Sequence, residues 1–164
     1  MSRAPDFAEI RRERPADEEA IRALLARSFP TLAEADLVDA LRASGDLTLS
    51  LVAVGEEGIV GHVAFSRATL AGAPALALAP LAVAEGRRIE GVGSRLVRAA
   101  LRELDGAFHG VVVVLGDPLW YERFGFRPAP GVACRWSSPN LLALAPGGGA
   151  VAGEMVYASA FDRL

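Results

Sequence analysis

The sequence is poor in the residues that build disulfides and zinc sites. Cys134 is the single cysteine, and neither of the two histidines has a partner at metal-ligand spacing. An intrachain disulfide is therefore impossible, and a zinc site is not expected. A reducing, cytoplasmic location fits this composition, and Cys134 is expected to be a buried strand residue.

The sequence also lacks segments that would send the chain into a membrane or out of the cell. Its most hydrophobic stretch, Leu70 to Ala84, is interrupted by Gly72, Pro74 and Pro80, so we expect no membrane span. The stretch from Met1 to Glu9 is short and polar, so no signal peptide is expected. All 17 basic residues are arginines, but the net charge of −3 gives no reason to expect binding to nucleic acid.

The composition is that of one domain over residues 1–164, with 52% hydrophobic residues and a mean hydropathy of +0.30. Apolar periodicity and turn residues predict the order β-α-α-β-β-β-α-β-α-β. This order indicates a mixed α/β (α+β) fold with a mostly antiparallel sheet flanked by helices. The predicted elements outside the central stretch are a strand at Phe7–Arg11, helices at Pro15–Phe29 and Ala33–Ala43, strands at Leu49–Val54 and Ile59–Ser66, a turn at Ala71–Pro74, and strands at Val132–Trp136, Leu141–Leu144 and Glu154–Ala160.

The most informative stretch combines a strand, a glycine-containing turn, a helix and a second strand. Their predicted bounds are Leu76–Val83 for the first strand, Ala84–Glu90 for the turn, Gly91–Leu104 for the helix and Val111–Leu115 for the second strand. Apolar residues recur on one helical face, as is typical of an amphipathic helix packed on a sheet: Leu96, Val97, Ala100, Leu101 and Leu104.

The glycine turn has the features of an anion-binding site. The first N–H groups of a helix have no intrahelical acceptor, and they lie at the positive end of the helix dipole. Gly91 and Gly93 let a ligand come close to the backbone, and Arg87 and Arg88 add positive charge. The turn therefore predicts a bound phosphate or pyrophosphate, which leaves two ligand classes, dinucleotides and coenzyme A.

A dinucleotide is the less favoured ligand. Gly91 and Gly93 give G-x-G, but the third glycine of the Rossmann fingerprint is missing. Asp117 lies at a plausible distance for the ribose-binding acid, so this criterion alone does not exclude a dinucleotide. The position of the unit does, because a Rossmann fold normally begins with it, whereas about half of this chain precedes it.

Three separated motifs favour coenzyme A. Arg88-Ile89-Glu90-Gly91-Val92-Gly93 resembles the Q/R-x-x-G-x-G/A signature of the GNAT superfamily of acyl-CoA N-acyltransferases. Leu81-Ala82-Val83 stands where that superfamily has its cofactor-binding strand, and Tyr121-Glu122-Arg123-Phe124-Gly125-Phe126 resembles its Y-x-x-x-G-F ending. From Phe7 onward the chain is similar to the YhbS-like branch of this superfamily. The similarity lies in three short segments, Leu47-Thr48-Leu49, Leu115-Gly116-Asp117-Pro118 and Cys134-Arg135-Trp136.

The resemblance implies acetyl-CoA as cosubstrate, no metal, and roles for individual residues. Val83, if a bulge frees its N–H from the ladder, is expected to polarise the thioester carbonyl, and Leu81 is expected to contact the pantetheine amides. Tyr121 is the candidate acid that protonates the departing thiolate. The pyrophosphate is expected on the side chain of Arg88 and on the backbone N–H groups of Ile89, Gly91, Val92, Gly93 and Ser94.

The sequence leaves the general base and the acceptor open. Glu34 or a water chain could take the proton of the amine, whereas Glu90 is expected to be solvated, and the strand Leu76–Val83 carries no carboxylate. Trp120 and Trp136 are expected to pack in the core or to floor an acceptor pocket. The acceptor is expected to be an amine of a small molecule, a peptide or a protein, and proteins of this kind commonly form homodimers.

These observations together predict an acyl-CoA-dependent N-acyltransferase that moves an acetyl group to a primary amine by direct attack in a ternary complex. The alternative is a non-catalytic module that binds CoA or an acyl carrier, in which Tyr121 serves only in packing. A purely structural protein would leave the glycine–arginine turn unexplained.

Overall fold

The computed structural model of the chain describes residues 9–164, except for the side chains of residues 89 and 90; the predicted strand start at Phe7 lies outside this range. The helices are α1 (Glu18–Ser28), α2 (Ala33–Ser44), α3 (Val92–Asp105) and α4 (Pro118–Tyr121). The strands are β1 (Glu9–Arg12), β2 (Leu47–Gly55), β3 (Gly58–Leu70), β4 (Ala73–Val83), β5 (Val111–Leu115), β6 (Arg127–Pro128), β7 (Gly131–Ala133), β8 (Leu141–Leu144) and β9 (Ala152–Tyr157). Short 3₁₀-helices lie at Pro15–Asp17, Glu85–Glu90, Glu122–Phe124, Pro146–Gly148 and Ser159–Arg163.

The strands form a mixed sheet with the central order β1-β2-β3-β4-β5-β8-β6. Strand β9 pairs with the far end of β3 and with β7. Among the described strands, pairing is antiparallel except between β4 and β5 and between β7 and β9. The prediction of a mixed, mostly antiparallel sheet flanked by helices is therefore confirmed.

The two faces of the sheet are covered by different helices, because neighbouring strand residues point to opposite sides. Val63 and Phe65 pack in the cluster that holds α3, whereas Ala64 packs in the cluster that holds α1. The predicted apolar face of α3 is buried except for Leu101, which is half-buried. In the described part of the chain, no helix is long and apolar enough to cross a membrane.

The region between β3 and β4 is a tighter hairpin than predicted. Ala71 and Gly72 both have positive φ, which is the geometry of a two-residue hairpin turn, and Pro74 lies inside β4. In such a hairpin the closing pair is hydrogen-bonded, so the nitrogen of Pro74 faces away from β3. Pairing with β5 begins only at Ala75, so the missing N–H of Pro74 costs no ladder bond.

The helix predicted after β5 is the four-residue α4, whereas the strand β6 is not predicted, because it is too short to show a period. The predicted strand over 132–136 also ends early, at Ala133. The N–H of Cys134 donates to Ser137 Oγ at 3.0 Å, and the chain turns there. Cys134 is consequently half-buried and lies just past a strand, and the prediction of a buried strand cysteine is wrong.

Strands β4 and β5 separate partway along β4. Their parallel pairing ends at the pair Leu78–Val114. On its other side β4 stays paired with β3, but the register shifts between Leu78 and Leu81, so β4 has an extra residue in this interval. The bulge therefore lies at Ala79 and Pro80, and because a bulge bends its strand, β4 leaves β5 at this point.

A buried polar network joins α2 to β2 and β3 on the face covered by α1. Arg42 Nε donates to Glu13 Oε2 at 2.7 Å, Glu13 Oε1 lies 2.5 Å from Ser50 Oγ, and Ser50 Oγ lies 2.8 Å from His62 Nε2. Burial alone would raise the pKa of Glu13, but the hydrogen bonds from Arg42 and Ser50 hold that pKa below its ordinary value. The carboxylate can only accept, so Ser50 donates to Glu13 and the Nε2–H of His62 donates to Ser50. Nδ1 of His62 is buried and has no hydrogen-bond partner among the described residues, so the folded chain favours the neutral ring.

Burial lowers the pKa of His62 from 6.5 to about 4, which makes stability depend on pH. Between these pH values the unfolded chain binds a proton that the folded chain does not, so stability is lost as the pH falls from 6.5 towards 4. The loss from this residue is about 3 kcal/mol. We expect the free energy of unfolding, measured by urea titration across this range, to fall less steeply in His62→Gln than in the parent.

The matched control is His109→Gln, because His109 is exposed. This variant should follow the parent at every pH. Equal pH slopes for His62→Gln and the parent would contradict a neutral, buried His62.

Candidate active site

The gap between β4 and β5 exposes backbone N–H groups of β4. Ala84 N–H donates to Val60 O at 2.7 Å, which fixes the alternation of bonded pairs between β3 and β4. His62 and Ala82 form the next bonded pair, so the N–H groups of Leu81 and Val83 point away from β3 and into the gap. The register between β3 and β4 therefore leaves the Val83 N–H outside the hydrogen-bond ladder. The bulge itself lies upstream, at Ala79 and Pro80.

The glycine turn stands at the end of β4 and begins α3. Gly91 has φ +74°, a left-handed conformation that an L side chain rarely adopts, so the backbone itself requires glycine there. The N–H of Arg95 donates to Gly91 O at 3.0 Å, and no side chain in the described part of the structure caps the helix. The N–H groups before it, on Val92, Gly93 and Ser94, therefore lack intrahelical acceptors and form the positive end of the helix dipole.

Gly93 packs close to the end of β4. A Cβ atom at this position would lie 3.6 Å from Val83 Cγ2 and 3.4 Å from Trp120 Cζ2. Trp120 in turn packs edge-to-face on Tyr121, with 4.8 Å between ring centroids. The predicted packing role of Trp120 thus holds, and the tryptophan joins the helix start to the segment that carries Tyr121.

The two arginines of the turn have different environments. Arg87 is held by an ion pair with Glu57 at 3.2 Å, beneath the β2–β3 turn, and its side chain is largely buried. Arg88 is exposed, and its Nε donates to Val83 O at 3.2 Å. Arg88 is therefore the arginine placed beside both the open edge of β4 and the start of α3.

Tyr121 lies at the end of α4, whose first turn is capped by Asp117. The carboxylate of Asp117 accepts from the Leu119 N–H at 3.0 Å, which is its role in place of ribose binding. Tyr121 is buried against Gly116, where a Cβ atom would lie only 2.4 Å from the Tyr121 ring. Burial raises the pKa of Tyr121 to about 12, so its hydroxyl carries a proton at neutral pH.

A cavity of about 310 Å³ opens at the point where β4 and β5 diverge. It brings together three predicted residues that lie far apart in the sequence, Leu81, Tyr121 and Glu34. Trp136 also lines the cavity, which agrees with the expectation that it could floor an acceptor pocket. Val83 and the start of α3 lie outside the lining. The cavity thus occupies one end of the β4–β5 gap and the glycine turn occupies the other.

Glu34 lies in the first turn of α2. Its Oε2 atom is buried and has no hydrogen-bond partner among the described residues. The side chain of Glu90, the other acid considered from the sequence, is outside the described part of the structure. Glu34 is therefore the carboxylate that the described structure places in the cavity.

The sequence alone did not indicate the aromatic wall of this cavity. Tyr157 and Phe161 line it together with Trp136, and they come from β9 and the last 3₁₀-helix. The i, i+4 spacing of Tyr157 and Phe161 was the available signal, but it does not say which earlier residue they meet. In the described chain, no group of three histidine, cysteine or acidic side chains is placed to hold a metal ion.

Comparison with known proteins identifies the family. Residues 47–128 match the family described as acetyltransferase (GNAT) domain. Over 132 residues, which are 77% of this chain and 79% of the relative, the sequence is 46% identical to the uncharacterised N-acetyltransferase YhbS of Escherichia coli (strain K12).

Solved structures agree over nearly the whole chain. The GNAT family N-acetyltransferase YhbS from Escherichia coli, solved in complex with CoA, has a TM-score of 0.90 at 38% identity, covering 100% of this chain and 97% of that one. A GNAT family acetyltransferase from Brucella melitensis, solved in complex with acetyl-CoA, has a TM-score of 0.81 at 37% identity, covering 96% of this chain and 99% of that one. The chain therefore belongs to the GNAT family of N-acetyltransferases, and its similarity to YhbS confirms the branch that its motifs suggest.

Proposed function

We propose that this protein transfers an acetyl group from acetyl-CoA to a primary amine by direct attack in a ternary complex. The observation that carries the proposal is the continuous path along β4, from the uncapped N–H groups of α3 to the cavity that contains Tyr121. Relatives similar over nearly the full chain have been solved with CoA and with acetyl-CoA. The proposal includes one acetyltransferase domain over residues 1–164 and a reducing, cytoplasmic location, which the single cysteine supports.

The direction of β4 orients the cosubstrate. The pyrophosphate binds the N–H groups at the start of α3, from Ile89 to Ser94, with Arg88 beside it. The pantetheine arm then runs back along the open edge of β4, partly as an added strand, and its reactive end reaches the cavity.

If the cosubstrate runs in this direction along β4, Leu81 and Val83 take each other's expected roles. Val83 lies next to Gly93 and Arg88, near the phosphate end, whereas Leu81 lines the cavity with Tyr121. The Leu81 N–H is therefore the better-placed donor to the thioester carbonyl, where it stabilises the developing oxyanion. The Val83 backbone is the better-placed partner for the pantetheine amides.

The proposed acetyl transfer forms one bond, breaks one bond and moves two protons. The neutral amine nitrogen attacks the thioester carbonyl carbon, a C–N bond forms and the C–S bond breaks. One proton leaves the nitrogen to Glu34 or to water, and the departing thiolate takes a proton from Tyr121. A tyrosine that keeps its proton at neutral pH is suited to this role as a general acid.

Replacing Ser94 tests the phosphate end of the site. Ser94 is half-buried in the first turn of α3, so a longer side chain can reach solvent. The carboxylate introduced by Ser94→Glu interacts favourably with the helix dipole but repels a pyrophosphate. We expect its Kd for CoA, measured by calorimetry, to rise at least about tenfold, which is 1.4 kcal/mol. The neutral Ser94→Gln is the control, and equal affinities of the two variants would contradict a pyrophosphate at this position.

Removing the hydroxyl of Tyr121 tests the catalytic role. Tyr121→Phe keeps the ring packing and deletes the acid, so kcat in a thiol-release assay with a panel of primary amines should fall about 100-fold or more. The Kd for CoA should stay within about twofold, because the pyrophosphate end is untouched. Full turnover by the variant would exclude the acid role. A parent that binds CoA but acetylates nothing in the panel would instead indicate the non-catalytic binding module.

The contact between Gly116 and Tyr121 gives an independent test of tyrosine placement. A methyl group at 2.4 Å from the ring forces Tyr121 to move. Displacement by about 1 Å can cost two orders of magnitude in rate, so Gly116→Ala should lower kcat at least tenfold with CoA affinity retained. Gly106→Ala is the matched control, because nothing lies within 4 Å of a Cβ atom there. Equal kcat values for the two alanine variants would show that the position of Tyr121 is not critical.

A further inference from the structure

The acceptor end of the cavity contains a carboxylate oxygen that lacks a partner. Oε2 of Glu34 is buried without a hydrogen-bond donor among the described residues. Leaving a carboxylate oxygen in this state is costly, and the cost is removed by a donor that carries positive charge. An ammonium group offers three N–H donors and a unit charge.

The remaining walls of the cavity are apolar and aromatic. Among the described residues that line it, Glu34 is the only one with a charged side chain, and no arginine contributes. The aromatic wall consists of Trp136, Tyr157 and Phe161, with Trp136 and Tyr157 edge-to-face at 4.8 Å between centroids. Rings of this kind accept apolar groups and attract a neighbouring cation.

The aromatic wall is held from its outer side. The guanidinium of Arg135 lies 4.2 Å from the Trp136 ring centroid, and its Nη2 donates to the carbonyl of Phe161. Phe161 and Tyr157 also contact each other, with 5.0 Å between ring centroids. The wall is therefore formed before a ligand arrives, and it is fixed to the C-terminal end of the described chain.

The size of the cavity limits the occupant. Its volume of about 310 Å³ is equivalent to roughly ten water molecules at their share of liquid volume. If acetyl-CoA binds along β4, its acetyl end takes part of this space. The space left inside the cavity suits a compact acceptor.

We propose that the acceptor is a compact primary amine with one positive charge and an apolar or aromatic body, and that Glu34 binds its ammonium group. This inference rests on the proposed function. A zwitterionic amino acid fits poorly, because the described lining offers no cation for its carboxylate. A polyamine would need more than one acid, and an amino sugar would need polar partners for its hydroxyls.

The test compares tyramine with tyrosine, which differ by one carboxylate. Acetyl-CoA and the purified full chain are mixed with each compound, and with spermidine, glucosamine and a lysine-containing peptide, and thiol release is followed. We expect kcat/KM for tyramine to exceed that for tyrosine at least about 100-fold, and to exceed that of every other probe. Preference for tyrosine, for spermidine, for glucosamine or for the peptide would overturn the inference, as would no release with tyramine.

The second arm assigns the ammonium site to Glu34. In Glu34→Gln the shape is kept and the charge is lost, so KM for tyramine should rise about 10- to 100-fold, as expected for a charge-assisted contact. Affinity for acetyl-CoA should not change, which also shows that the variant is folded. Glu19→Gln, on the exposed side of α1, is the control and should match the parent in both measurements. An unchanged KM in Glu34→Gln would overturn the assignment.

Failure of the inference and failure of the proposed function give different results. If the parent does not bind acetyl-CoA in calorimetry, the proposed acetyltransferase function is wrong. If it binds acetyl-CoA and acetylates a different class of amine, the function stands and only the acceptor inference fails.

Discussion

The site depends on one interruption in the hydrogen bonding of the sheet, the end of the pairing between β4 and β5 at Leu78. Backbone N–H groups are obligatory donors, and in most sheets the next strand satisfies them. Here the bulge at Ala79 and Pro80 bends β4 away, while β3 continues to hold its other edge. Leu81 and Val83 are therefore rigidly placed and face a gap that an extended ligand can fill.

The direction of β4 places different features at the two ends of the gap. Strand β4 is followed by a 3₁₀-helix and by Gly91 in a left-handed conformation. The start of α3 therefore lies next to the end of β4. The other end opens into the cavity shared by Tyr121 and Glu34. The N–H groups at the start of α3, the strand N–H groups that face the gap, and an apolar cavity with one acidic side chain suit the proposed acyl-CoA, which has a charged end and a reactive end.

The local features of this arrangement could be predicted from the sequence, and the non-local ones could not. The apolar face of α3, the glycine turn and the bounds of β5 follow from periodicity and residue type, which act within a few residues. The order of Leu81 and Val83 along the ligand depends on where β5 departs and on the β3–β4 register, neither of which leaves a mark in the strand itself. The aromatic wall joins Trp136 to Tyr157 and Phe161 from another segment, and only tertiary packing brings these residues together.

Amide hydrogen exchange by NMR on ¹⁵N-labelled protein, with and without acetyl-CoA, tests the use of the β4 edge most directly. In the free protein the amides of Leu81 and Val83 should exchange faster than those of Ala82 and Ala84, which face β3. Saturating acetyl-CoA should protect Leu81 and Val83 and leave the other two nearly unchanged. Acetyl-CoA binding without any protection at Leu81 and Val83 would contradict an acyl-CoA slot along this strand.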